Sequence, residues 1–181
     1  MGLRLWVVLI MVLAMPAAAQ TSGYNGQESR AIKALSANET ADLLAGRGMG
    51  AARAAELNHY PGPAHVLELR EQLGLSAEQI RAVQEIFDRM SAAAKPLGAE
   101  IVAAEKHLDV AFGSGSIAAD TVRGDTAAIA EVQGKLRAVH LTAHLETRGV
   151  LRPEQIVRYD ILRGYSGGAA PPARDHRRHS G

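Results

Sequence analysis

The chain of 181 residues has no cysteine, so metal or acid–base chemistry falls to histidine, methionine and the carboxylates. Disulfides, thiolate zinc sites, iron–sulfur clusters and a cysteine nucleophile are excluded together. Of the seven histidines, His140 and His144 stand four residues apart. On a helix that spacing puts two imidazoles on one face, where they can share an ion. At 100° per residue His140 lies about 40° from the centre of the stripe formed by Ile129, Val132, Leu136, Val139 and Ala143, and His144 about 80° from it, at the edge. The plainer reading makes both helix-edge residues, one hydrogen-bonded and one solvated. If the partner helix runs antiparallel, the pair faces the stretch around Phe87, where Asp88 and Met90 add a carboxylate and a thioether. His65, just after a Pro-Gly-Pro turn, is either a third ligand or a capping residue. His107 falls near the far end of the helices, away from the pair. His176 and His179, flanked by arginines, offer a weak zinc or copper site or simply a solvated tail.

Catalysis finds little support. Glu100, Glu105 and Asp109 are spaced as the solvated face of a helix. The glycines at 46, 48 and 50 form no dinucleotide fingerprint, which needs a strand before it and a helix after it. No Ser-His-Asp set has a context that would assemble it. The expectation is a protein that is not an enzyme and needs no cofactor for its basic role.

These residues ride on a helical scaffold. From residue 31 the chain is dense in Ala, Leu, Glu, Gln and Arg, and nowhere alternates apolar with polar for long. Ser36-Ala-Asn-Glu39 and Ser76-Ala-Glu-Gln79 are capping boxes, each opening a helix. His59-Tyr-Pro-Gly-Pro63 is a firm break. Ile80, Val83, Phe87, Met90, Ala94, Leu97, Ile101, Ala104, Leu108 and Ala111 then form a heptad seam on a helix of ~50 Å. Pro96 inside it predicts a kink rather than a stop. Gly113-Ser-Gly-Ser116 ends that helix, and a second long one runs from about 118 to 148. The short loop between them predicts an antiparallel hairpin. Leu141 and Leu145 make the second helix apolar on two faces, so it has two surfaces to cover; flanking helices or a second subunit would serve. Pro153 starts a last helix, closed by Gly164.

The first 19 residues read as a cleaved secretory signal: Arg4 in a short head, an unbroken apolar run from Leu5 to Met15, and Ala17-Ala18-Ala19 before Gln20. Eleven apolar residues are too few to span ~30 Å of hydrocarbon, so no membrane anchor is expected. The whole chain carries 20 Lys and Arg against 19 Asp and Glu, and Arg4 leaves with the signal, so the remainder is neutral. That argues against nucleic acid as a partner. The expected organisation is a signal at 1–19, a flexible polar lead at 20–30, one helical domain at 31–165, and a disordered basic His/Arg tail at 166–181.

Leu75-Ser-Ala-Glu-Gln79 and Leu151-Arg-Pro-Glu-Gln155 are two copies of one pattern, 76 residues apart. Leu75 and Leu151 anchor the incoming chain, Ser76 caps, and Gln79 and Gln155 reach back to the helix start. With the signal and the long hairpin, this resembles the LTxxQ superfamily over residues 60–165: the periplasmic chaperones Spy and CpxP and the metal-responsive ZraP and CnrX. The resemblance implies an all-α, Spy/CpxP-like fold, a long antiparallel hairpin with shorter flanking helices. It implies a periplasmic, ATP-independent chaperone of the envelope-stress response, holding unfolded or misfolded clients on an amphipathic helical surface, as a homodimer. The alternative it implies is a periplasmic sensor or buffer of zinc, copper or nickel. CnrX-like sensors also set a paired-histidine helix beside a carboxylate and a methionine, and CpxP-like proteins act on a sensor kinase. Two departures stand out. Arg152 replaces the family's threonine, which removes the second capping hydroxyl, and the chain is neutral where Spy-type chaperones carry a basic concave face.

Overall fold

The computed structural model describes residues 22–165. The expected signal at 1–19 and the tail at 166–181, with His176 and His179, lie outside the described residues. The fold is all-α, with no strand among the described residues beyond a single isolated bridge between Ile32 and Leu35. Six helices follow in order: α1 (Ala37–Leu44), α2 (Arg53–Glu56), α3 (Pro63–Glu68), α4 (Ala77–Gly113), α5 (Ala119–Val150) and α6 (Pro153–Leu162). Residues 22–30, expected as a flexible lead, form a run of turns closed by bonds such as Asn25 N–H to Ser22 O at 3.0 Å.

Local chemistry accounts for the helix starts. Ser36 Oγ accepts from Glu39 N at 3.1 Å while the Glu39 carboxylate accepts from Ser36 N at 2.8 Å. Ser76 and Gln79 repeat this reciprocal box at 3.2 and 3.1 Å. Each box satisfies two of the amides that a helix start otherwise leaves bare. α4 runs through Pro96 without stopping.

Three cross-links set the direction of the two long helices. Gln79 meets Val150 O at 2.9 Å, Arg89 meets Glu146 at 2.7 Å, and His107 meets Asp125 at 3.1 Å. As the residue number rises on α4 it falls on α5, so the pair is antiparallel. The short helices lie across this pair and bury a broader stripe than the heptad seam predicts. Ile86, outside that seam, is buried, whereas Ile80, Phe87 and Met90 are only half-buried. α1 crosses so close that a Cβ on Gly98 would sit 1.9 Å from Leu43 O, and only glycine permits that approach.

The core falls into two clusters. One, near the helix starts, joins Val66, Leu73, Val83, Leu151, Ile156 and Tyr159. The other, farther along, joins Leu43, Ala94, Ile101, Val132 and Leu136. Between them, at the level of Phe87 and Met90 on α4 and of His140 and His144 on α5, apolar packing is interrupted by a pocket.

Candidate metal centre

The pocket measures about 920 Å³. α5 supplies His140 and His144, α4 supplies Phe87 and Met90, α3 and its N-cap supply His65 and Gly62, α2 supplies Glu56, and the loop after α1 supplies Gly48 and Met49. Both histidines of the pair are inside the protein, His140 at 4% and His144 at 9% exposure. This differs from their expected place at the helix edge. α2 and α3 cover the flank of α5 that the long hairpin alone would leave open.

The two imidazoles are prepared in different ways. His144 Nδ1 lies 2.7 Å from Tyr60 O. A carbonyl only accepts, so Nδ1 carries the proton and the neutral ring keeps its lone pair on Nε2. The Glu56 carboxylate stands behind the same nitrogen, with Oε2 3.6 Å from Nδ1. A carbonyl or carboxylate on the outer nitrogen is how metal-ligating histidines are generally oriented. His140 has no such support, and its Nε2 is buried without a hydrogen-bond partner. Burial, with the neighbouring His144 as a second cause, pushes the His140 pKa down. The ring is therefore held neutral, the form that binds a metal.

Two glycines clear the space beside these rings. A Cβ on Gly48 would lie 3.1 Å from His140 Nδ1, and one on Gly62 would lie 2.8 Å from His144 Cε1 and 2.9 Å from its Nε2. Any larger residue at either position would press on a ring nitrogen or its neighbour.

Glu56 forms the floor of the pocket. Its Oε1 accepts from the hydroxyls of Tyr159 at 2.5 Å and Tyr165 at 3.0 Å, and its side chain is only 12% exposed. Burial alone would raise its pKa. Hydrogen bonds from His65, Tyr159 and Tyr165, with a smaller electrostatic contribution from the nearby His144 ring, outweigh that and hold it at about 2. Burial, and then the same carboxylate, push the Tyr159 hydroxyl pKa up, so it stays a donor. His65 Nδ1 lies 3.4 Å from the Tyr159 hydroxyl and 3.7 Å from Glu56 Oε1, so His65 belongs to this floor as much as to the open pocket.

Of the sequence-predicted ligands, the structure brings His140, His144, His65 and Met90 to one pocket. It does not bring Asp88, which is exposed and accepts from Gln84 Nε2 at 2.9 Å. Asp88 follows Phe87 by one residue, and one step rotates a helical side chain by about 100°, enough to turn it from the pocket to solvent. The mostly buried carboxylate at the pocket is Glu56, which sequence reasoning missed; Glu68 also lines it but is exposed. Glu56 sits on a four-residue helix with no pattern of its own. Met49 was also missed; its flanking glycines were weighed only as a nucleotide loop and set aside. His107 pairs with Asp125 and His59 with Asp160 at 2.7 Å, both apart from the pocket. No three His, Asp or Glu side chains among the described residues converge closely enough to hold an ion by themselves.

The motif residues have another task. Gln79 Nε2 donates to Gln155 Oε1 at 2.8 Å and Gln155 Nε2 donates to Gln79 Oε1 at 3.1 Å, so the two copies of the motif bond to each other. Gln155 also accepts from Arg152 N at 2.9 Å and reaches Leu73 O and Gly74 O at 3.3 Å. Arg152 brings no capping hydroxyl, yet the glutamine half of the box persists. Leu151 is in the core cluster and Leu75 packs against it.

Fold and site together define a small all-helical protein with an imidazole-lined cavity set into an antiparallel helix pair. The model of the heavy-metal resistance family matches residues 43–158, from α1 into α6, and the chain belongs to that family, one of the LTxxQ, Spy/CpxP-like helical group. No curated protein and no solved structure matches the chain.

Proposed function

We propose that this protein binds a heavy-metal ion in the pocket between α4 and α5, with His140 and His144 as its nitrogen ligands, and works as a sensor or buffer in metal resistance. The observation that carries this is His140 Nε2, a buried ring nitrogen without a partner. Leaving such an atom bare costs about 1–3 kcal/mol, and a bound ion is one partner that would satisfy it. His144 supports it, because its proton is committed to Tyr60 O and its lone pair is left on Nε2. His65 stands at the pocket as a further nitrogen. Family membership favours metal handling over client holding, the other role the resemblance implied. An exported location, expected from the first 19 residues, puts such a protein where external metal arrives first.

The test is a competition titration of zinc, copper and nickel against a chromogenic chelator, on wild type and on the His140→Ala/His144→Ala variant. Loss of binding in the variant supports the pair. Equal binding by both proteins removes it.

A further inference from the structure

The chain has five methionines, at positions 1, 11, 15, 49 and 90. The first three fall within the expected signal. The other two, 41 residues apart in sequence and on different elements, both line the histidine pocket. Met90 is half-buried on α4. Met49 is 46% exposed, between Gly48 and Gly50, with φ at +43°. Without cysteine, thioethers are the only sulfur ligands this chain can offer, and every one beyond position 15 is at this pocket.

We propose that the ion this pocket selects is soft and monovalent, Cu(I) or Ag(I), with Met49 and Met90 joining His140 in holding it. This rests on the metal-binding reading above and names its substrate class. Three observations converge on it. Thioether and imidazole donors suit soft ions, whereas carboxylate, carbonyl and water suit hard ones. The imidazole and thioether donors are also neutral; of the two lining carboxylates Glu68 is exposed, and Glu56 has Oε1 occupied by two tyrosine hydroxyls while its Oε2, 3.6 Å from His144 Nδ1, makes no hydrogen bond. Desolvating an ion costs more as its charge rises, and the lining sets Arg47, Arg53 and Lys95 against Glu56 and Glu68, so a monocation enters at less cost than a dication. Finally, no three His, Asp or Glu side chains converge among the described residues. A divalent ion that wants a full shell of nitrogen and oxygen is poorly served, while Cu(I) and Ag(I) are content with few soft ligands. The unpartnered, buried His140 Nε2 supplies the nitrogen of that set.

Silver is the probe, being stable in air and monovalent. The full chain, labelled at its methionine ε-methyl groups, is titrated with Ag⁺ and followed by NMR, and Ag⁺ and Zn²⁺ affinities are measured for wild type, Met49→Leu, Met90→Leu and His140→Leu. Ag⁺ is expected to shift the methyl signals of Met49 and Met90, each assigned by its leucine variant. Each methionine replacement is expected to weaken Ag⁺ binding at least about 10–100-fold, the loss that even an outer-shell partner of a metal ligand generally brings. Zn²⁺ affinity should change by less than about threefold, since zinc gains little from a thioether. Leucine nearly conserves the methionine volume, and the wild-type methyl shifts need no variant to fold. Unmoved methyl signals, or equal losses for Ag⁺ and Zn²⁺, overturn the soft-ion assignment while leaving a histidine site standing. A wild type that binds neither ion, or a His140→Leu variant that binds both as well as wild type, overturns the pocket itself.

Discussion

The two polar regions along the helix pair follow opposite rules. At the junction of the two LxxxQ motifs the central polar groups find partners: Gln79 and Gln155 exchange hydrogen bonds, and their remaining capacity goes to Ser76, Arg152, Val150, Leu73 and Gly74. At the histidine pocket, about two to three helical turns further along, His140 Nε2 and Glu56 Oε2 are buried without partners. Both regions are polar and enclosed, and both draw on residues far apart in sequence. A satisfied network of this kind fixes one arrangement of the helices. An unsatisfied one weakens the fold unless a water or a ligand completes it. The repeat is therefore architecture, and under the proposed function the pocket beside it is the working part.

The sharpest way to break this contrast is at Gln155, among the most deeply buried side chains. Gln155→Ala leaves a void and strips partners from Arg152 N, Leu73 O, Gly74 O and Gln79. The expected loss is about 4 kcal/mol, from orphaned polar groups and the cavity together. Urea unfolding of the variant checks it. Ser76→Ala should cost only about 1 kcal/mol, because it removes one exposed cap bond. If the two variants unfold alike, the glutamine pair is an ordinary cap and the contrast is lost.

A somewhat smaller effect is expected on the pocket side, at Glu56, and it carries a pH signature. Its pKa of about 2 in the folded protein lies below the usual carboxylate value of 4.5. On acidification the unfolded chain takes up this proton first. The stabilisation is therefore fully present above about pH 4.5 and is lost as the pH falls towards 2. At 1.36 kcal/mol per pKa unit it amounts to about 3 kcal/mol. Glu56→Gln should lower stability at pH 7 and flatten the acid limb relative to wild type, as read from denaturant midpoints between pH 7 and pH 2. Parallel curves for the two proteins would show that the tyrosines, not the charge, hold this floor together.

Much of this comparison was legible in the sequence on one side and little on the other. The helix starts, the Pro-Gly-Pro break, the all-helical class and the motif repeat follow from local rules: a hydroxyl with a carboxylate or amide three residues on, a proline at the first helical position, glycine at the stops. What the repeat was for did not follow. Nothing in one dimension says that Gln79 and Gln155 bond to each other as well as each to its own helix start. The pocket depends still more on tertiary placement. His140 and His144 were found by spacing, but their burial is imposed by α2 and α3, whose positions are set by where the chain turns at residues 57–62. Asp88, expected opposite the histidine pair in the antiparallel hairpin, is lost by one step of helical rotation. Glu56 and Met49 lie in short or irregular segments, where no periodicity tells inside from outside.

The finest probe of the contrast is Gly62, where the change is a single methyl group. Its φ of −82° and ψ of 144° are open to any residue, so alanine brings no backbone strain. The cost is spatial, because the new Cβ would lie 2.8 Å from His144 Cε1 and 2.9 Å from Nε2. The ring is tethered through Nδ1 to Tyr60 O, so it cannot swing clear without giving up that bond. Gly62→Ala should change stability by less than about 1 kcal/mol, since the loss of fit is offset in part by reduced freedom of the unfolded chain. Metal affinity should fall about tenfold, or 1.4 kcal/mol, if Nε2 of His144 is a ligand. Calorimetric titration against the same variant's unfolding curve separates the two effects. An unchanged affinity would place the ion on His140 and the thioethers alone, with His144 serving the wall of the pocket rather than its contents.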